Sequence, residues 1–151
     1  MTFKLSQRSL DTMEGVDERL VAVAKLAIQS TSVDFGVICG LRTIEEQREL
    51  VAKGASKTMA SKHLDGNAID LMAYIGSRGS WELKLYDNIG DAMIDAAKEV
   101  GVGLRWGAAW HWPDVRTWEG TCEELMNAYV KLRTSQNKRS FIDAPHWEIS
   151  E

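Results

Sequence analysis

Cysteine and proline are scarce in this chain, with two of each in 151 residues. Cys39 and Cys122 are too few for a disulfide scaffold and lack metal-knuckle spacing, so both are expected as reduced, buried thiols. With Pro113 and Pro145 alone, and no Gly/Ser-rich stretch or internal repeat, nothing marks a linker. One domain over residues 1–151 is the expectation. No apolar run reaches the roughly 18 residues that a membrane span needs. The opening Met1–Arg8 lacks the charged-then-apolar order of a secretory leader, so no self-directed export is expected. A basic excess is missing too. Eighteen Lys and Arg stand against 22 Asp and Glu, a net charge of -4, which argues against a nucleic-acid partner.

What remains is an ordinary globular composition, 44% hydrophobic and 26% charged. A chain of this length buries roughly two-thirds of its unfolded surface, enough for a core without staples. Apolar residues at Val16, Leu20, Val23, Ala24, Ala27 and Ile28 have helical spacing. Asp34–Cys39 alternates and predicts a strand with Phe35, Val37 and Cys39 on one face. Thr43 with Glu46 forms a capping box that opens a helix ending near Gly54. After a loop of small polar residues, Ala68–Ile75 predicts a strand with Ala68, Asp70, Met72 and Tyr74 on one side. A long helix is expected over Glu82–Val100, a strand around Val102, Leu104 and Trp106, and a helix opened by Thr121 and Glu124. His146–Ile149 reads as a closing strand whose His146 and Glu148 share a face. Helices and strands mix without strict alternation, which predicts an α+β fold with a small, mostly antiparallel sheet and helices packed against it.

Chemistry concentrates around the three histidines. Gly66 permits a tight turn between His63 and the strand that carries Asp70, and small Ala68 leaves room beside that carboxylate. A loop imidazole and a strand carboxylate can then converge, and His146 from the last strand adds a second imidazole. Two imidazoles and one carboxylate are a ligand set of catalytic zinc, with the fourth position left to water. Such a water ionises near pH 7 instead of about 15.7. Asp143, three residues before His146 and followed by Ala144-Pro145, can fold back beside the metal as a general base. Taken singly, His63 reads as a loop histidine and His146 as a packed strand residue. An ionised Asp70 among Ala68, Ile69, Leu71 and Met72 is costly unless paired or metal-bound. His111, between Trp110 and Trp112, reads as an exposed loop residue in preference to a cleft-rim one. Of the six tryptophans, Trp106, Trp110 and Trp147 lie near these motifs and serve either the core or the walls of a cleft.

The string Ser61-x-His63-x-x-Gly66-x-Ala68-x-Asp70, followed by Asp143-x-x-His146, resembles the zinc peptidases that cut bacterial peptidoglycan. These comprise D-alanyl-D-alanine carboxypeptidases, D-Ala-D-Ala dipeptidases and phage L-alanyl-D-glutamate endopeptidases. Asp34-Phe35, the stretch Gly40-Leu41-Arg42-Thr43-Ile44-Glu45-Glu46-Gln47, and Gly54-Ala55-Ser56-Lys57-Thr58 resemble the phage group, as does the early Ser6-x-x-Ser9-Leu10 segment. The resemblance implies the Hedgehog/DD-peptidase fold, one Zn2+ per chain on His63, Asp70 and His146, and Asp143 as catalytic acid/base. It implies Arg42 as a catalytic and substrate-binding guanidinium, and Ser61 as a residue that orients His63 or touches substrate. An Asp at 143 tilts the implied substrate toward the L-Ala–D-Glu bond of the peptidoglycan stem. A D-Ala-D-Ala carboxypeptidase or dipeptidase, and a non-catalytic zinc-containing wall-binding module, are the alternatives. The implied setting is host lysis by a monomer made in the bacterial cytoplasm, reaching the wall in the periplasm through a separate membrane-permeabilising protein. Where relatives often carry Arg-Trp-Gly-Gly-Asp-Trp, this chain has Arg105-Trp106-Gly107-Ala108-Ala109-Trp110.

Overall fold

In the computed structural model, which describes residues 2–56 and 58–150, the chain builds an α+β fold. Helices α1 (Gln7–Thr12) and α2 (Glu18–Ser30) lead into β1 (Asp34–Cys39) and α3 (Ile44–Ala52). A 3-10 turn (Lys62–Asp65) precedes β2 (Ala68–Ile75) and the short β3 (Arg78–Ser80). Then come α4 (Leu83–Val100), β4 (Leu104–Trp106), a second 3-10 turn (Val115–Thr117), α5 (Cys122–Ser135) and β5 (His146–Ile149). Every α-helix except α4 starts at a capping side chain. Thr43 with Glu46 and Thr121 with Glu124 form reciprocal capping boxes, and the Asp17 side chain accepts from Arg19 N.

The five strands pair antiparallel in the order β1-β2-β5-β4, with β3 on the far end of β2. The last strand in sequence therefore lies inside the sheet. Its register sets Asp70 opposite His146, Ala68 opposite Glu148, and Glu148 opposite Arg105. Residues paired across a ladder project to the same face, so these polar groups share one side of the sheet. Ile69, Trp147 and Trp106 take the other. That second face is the core. There Leu20, Val23 and Ala27 of α2, with Ile89, Met93 and Ala97 of α4, are buried in one cluster with Phe35, Val37, Leu71 and Trp147. α1 lies along the outer edge of β1, where Val37 N donates to Ser9 Oγ at 3.0 Å. Among the described residues, no helix is long and apolar enough to cross a membrane.

One expectation fails at the end of β1. Strict alternation predicts Cys39 on the core face with Phe35 and Val37. Instead the ladder shifts: Val37 pairs with Leu71, whereas Cys39 pairs with Asp70. The extra residue, Ile38, is 45% exposed, and the bulge turns Cys39 onto the face that carries Asp70. Both thiols are free as expected, but only Cys122 is fully buried, while Cys39 is half-buried.

Candidate metal and catalytic site

The polar face of the sheet is completed by two turns. In the first, Ser61 Oγ accepts from His63 N at 3.2 Å and opens the 3-10 turn, and Gly66 closes it with a φ of 71°. A Cβ on Gly66 would lie 2.5 Å from the Gly15 carbonyl oxygen, so glycine is needed for space as well as for handedness. This turn delivers the His63 imidazole, 2% exposed, over β2. The second turn carries Asp143 into β5. Asp143 N donates to Gly107 O at 2.8 Å, His146 N to Asp143 O at 3.0 Å, and Trp106 Nε1 to Ala144 O at 2.7 Å. Gly107 lies so close beneath it that any Cβ would collide with the Asp143 carbonyl.

The two imidazoles meet on Asp70. His63 Nε2 lies 3.3 Å from Asp70 Oδ2, and His146 Nδ1 lies 3.2 Å from Asp70 Oδ1. The ring centroids are 5.1 Å apart, inclined at 70°. The other nitrogen of each ring is already taken. His63 Nδ1 donates to Gly40 O at 2.9 Å, and His146 Nε2 donates to Glu148 Oε1 at 2.8 Å. These bonds leave His63 Nε2 and His146 Nδ1 as the nitrogens directed at the shared carboxylate, the arrangement in which outer partners orient metal-binding rings. Ligand atoms of Cys39, His63 and Asp70 lie within 4.8 Å of one another, as do those of Asp70, Asp143 and His146. Asp70 is thus the hub that joins the expected trio, and the same clustering adds Cys39 at one end and Asp143 at the other.

The electrostatics favour positive charge at this hub. Burial alone disfavours charge on the His63 ring, but the hydrogen bond to Asp70, helped by Cys39, outweighs it and lifts the pKa to about 10. His146 rises to about 9 against the same burial cost, through Asp70 and Glu148. Burial would raise Asp70, yet the two imidazoles hold it well below the usual carboxylate range. A divalent ion placed there would displace the ring protons and supply the same charge to the same oxygens, so the donor set fits a metal. Asp143 differs from Asp70. Burial pushes its carboxyl up, the Asp70 charge adds to this, and His146, His63 and Arg42 only partly offset it.

Arg42 stands on the wall of the site. Its backbone N donates to His63 O at 3.0 Å, Nη1 to Gln47 Oε1 at 2.7 Å, and Nη2 to Cys39 Sγ at 3.1 Å, with Asp70 Oδ2 3.8 Å away. Gln47, fully buried, also donates from Nε2 to Thr58 O at 2.6 Å and to Ser56 Oγ at 2.9 Å, tying α3 to the loop beside the site. A cavity of about 550 Å3 opens over these groups, bounded by Arg42, Lys62, Trp110, Phe141, Asp143 and His146. Ser61 lines it while capping the turn, and Trp110 stacks on Phe141 at 6.1 Å. Trp106 and Trp147 stack on each other at 5.5 Å in the core. His111 is not the exposed loop residue expected. It is half-buried, with its ring stacked on Tyr129 of α5 at 5.5 Å, outside the cavity lining. Lys57 lies outside the described residues.

Sequence reasoning assigned no role to Glu148, Gln47 or Cys39. Glu148 left a signal, since alternation along β5 places it on the His146 face. Gln47 is a polar residue on the inward side of α3, which periodicity alone does not distinguish from solvent-facing glutamine. Cys39 was hidden by the bulge.

A family model described as phage L-alanyl-D-glutamate peptidase matches residues 1–150. The L-alanyl-D-glutamate peptidase of Escherichia phage T5 is 33% identical over 115 residues, 74% of this chain and 84% of that protein. The L-alanyl-D-glutamate peptidase of Listeria phage A118 is 30% identical over 113 residues, 73% of this chain and 39% of the relative. Among solved structures, the L-Ala D-Glu endopeptidase ChiX of Serratia marcescens has a TM-score of 0.73 and 30% identity, covering 98% of this chain and 90% of that one. Sequence match along nearly the whole length and a shared fold agree, and the chain belongs to the phage L-alanyl-D-glutamate peptidase family.

Proposed function

We propose that this protein is a zinc-dependent endopeptidase that hydrolyses the L-Ala–D-Glu bond in the peptide stem of bacterial peptidoglycan. The observation that carries this reading is the convergence of His63 Nε2 and His146 Nδ1 on Asp70, next to the half-buried carboxyl of Asp143. Family membership supplies the bond. His63, Asp70 and His146 are the residues that would hold the ion, one per chain, a donor set that leaves a coordination corner open. Bound there, zinc contributes Lewis acidity and makes water ionisable near neutral pH.

The chain's own groups do the rest. Asp143 accepts the proton of the attacking water as its oxygen bonds to the alanyl carbonyl carbon. It then gives that proton to the D-Glu nitrogen as the C–N bond breaks. A carboxyl whose pKa is raised by burial holds a proton between those two events more readily than an exposed one. Arg42, fixed by Gln47 and Cys39, presents a rigid guanidinium to the developing oxyanion or to a substrate carboxylate. Ser61 keeps His63 in place through the turn and faces the same cavity as the substrate would. We place this activity in host lysis, with the protein made in the bacterial cytoplasm and acting as a monomer on the wall after a separate protein has permeabilised the membrane.

The test is digestion of purified disaccharide-peptides with mass analysis of the fragments. The expected products are glycan pieces ending in L-Ala and peptides beginning with D-Glu, lost with a chelator and restored by zinc. Release of free D-Ala with the L-Ala–D-Glu bond intact would make the protein a carboxypeptidase, and no fragment at all would leave a wall-binding module.

A further inference from the structure

Asp70 and Asp143 border two hollows, not one. On one side is the cavity described above, with Arg42 and Lys62 in its wall. On the other is a hollow of about 340 Å3 whose remaining walls include Ile38, Trp81, Leu83, Tyr86, Ile142 and Pro145, with no cationic side chain among its lining residues. The two carboxylates are the ridge between a polar half and an apolar half of one cleft. In the apolar half the side chains are not sealed away: Trp81 is 60% exposed, and Ile38 and Leu83 are each 45% exposed.

Trp81 is held flat. Its indole lies nearly parallel to the Tyr86 ring, at 10° and a centroid distance of 6.1 Å. Tyr86 is itself fixed, since its hydroxyl donates to Ser80 O at 2.8 Å and accepts from Ala73 N at 3.0 Å. An exposed ring supported from below by a second, immobilised ring offers a preorganised stacking surface at small entropic cost.

The charge of the two halves orients the substrate. On the glutamyl side of the bond, a dicarboxylic residue within a linear stem keeps one carboxylate unused by the chain, and Arg42 and Lys62 suit that group. On the alanyl side there is no charge to match, only a methyl group, an amide and the sugar to which the stem is joined. One extended residue covers about 3.3–3.6 Å, so a sugar ring follows closely on the alanine. We infer that the Trp81 hollow is a saccharide-binding subsite that takes the glycan-proximal end of the substrate, stacking a pyranose ring on the indole. The inference rests on the endopeptidase reading given above. It adds that the protein prefers stems still attached to glycan over the same peptides released from it.

The experiment compares two substrates, a disaccharide-linked stem peptide and the identical peptide beginning at L-Ala, with wild type, Trp81→Phe and Trp81→Ala. Wild type is expected to favour the sugar-linked form in kcat/KM. Trp81→Ala should lower that preference about tenfold through KM, and Trp81→Phe should retain most of it. An unchanged preference in Trp81→Ala, whether both rates fall together or neither falls, would overturn the subsite. A second readout does not depend on turnover: titrating the free disaccharide while following the tryptophan indole N–H signals by NMR. Selective shifts at Trp81 are expected, whereas shifts centred on Trp110 would place the sugar in the polar half and reverse the orientation. If wild type cuts neither substrate while Trp81 still responds to the disaccharide, the endopeptidase reading fails and the sugar site stands.

Discussion

Each imidazole of the site has two nitrogens with different duties. Gly40 O and Glu148 hold the outer ones, so the inner ones face Asp70. Glu148→Gln weakens the acceptor that fixes His146, and zinc affinity measured by chelator competition should fall by about 10- to 100-fold, the range found for such outer partners. Unchanged affinity with a native circular dichroism spectrum would strip Glu148 of this part. Asp143 should behave in the opposite way. Asp143→Ala is expected to keep its zinc yet lose roughly 100-fold or more of its lytic rate on permeabilised cells; lysis at the normal rate would show that another group moves the proton. In the sequence, His63, Asp70, His146 and Asp143 stood out only as a set, through their spacing and the resemblance it carries; taken singly, only Asp70, a carboxylate among apolar strand residues, drew notice. Glu148 was visible only as a neighbour on a strand face. Its role required the ring orientation, which no spacing rule specifies.

At the scale of elements, capping chemistry was the most readable signal, because a box such as Thr43 with Glu46 is satisfied within four consecutive residues. The β1 bulge was not. It depends on pairing with β2, and that pairing moved Cys39 from the expected core face to the site. The α4–α5 packing holds another non-local feature. Asp87, 5% exposed, has no hydrogen-bond partner for its Oδ1 among the described residues, and burial, with Glu123 and Asp91 nearby, raises its pKa to about 6. A carboxyl with a folded pKa above its unfolded value of 3.8 favours the fold fully below that value. This contribution is lost as pH rises through about 6. Asp87→Asn should therefore stabilise the protein at pH 7.5, by on the order of 1–2 kcal/mol, and make little difference at pH 4. Denaturant titrations at the two pH values check this, and an equal effect at both would mean that charge is not the cause.

For the whole molecule, the proposed metal would be linked to the fold, because the candidate ligands come from the 3-10 turn, β2 and β5 and meet only in the folded state. Zinc at a hundred times its dissociation constant should add about 2.7 kcal/mol. For a chain of this size, chelation should then lower Tm by roughly 5–10 °C. A melting curve indifferent to chelator would deny the ion any share in stability. The fold class was legible from mixed helical and alternating patterns, and so was the pairing of distant motifs. What no pattern revealed was the strand order, since β5 enters between β2 and β4 by contacts spanning 76 residues between Asp70 and His146. That insertion bears on synthesis. While the ribosome is still adding the final strand, β2 and β4 expose backbone edges with nothing between them, and such edges are sticky. Until the central strand is in place, His146 is missing from beside Asp70, and the cluster over β2 is incomplete.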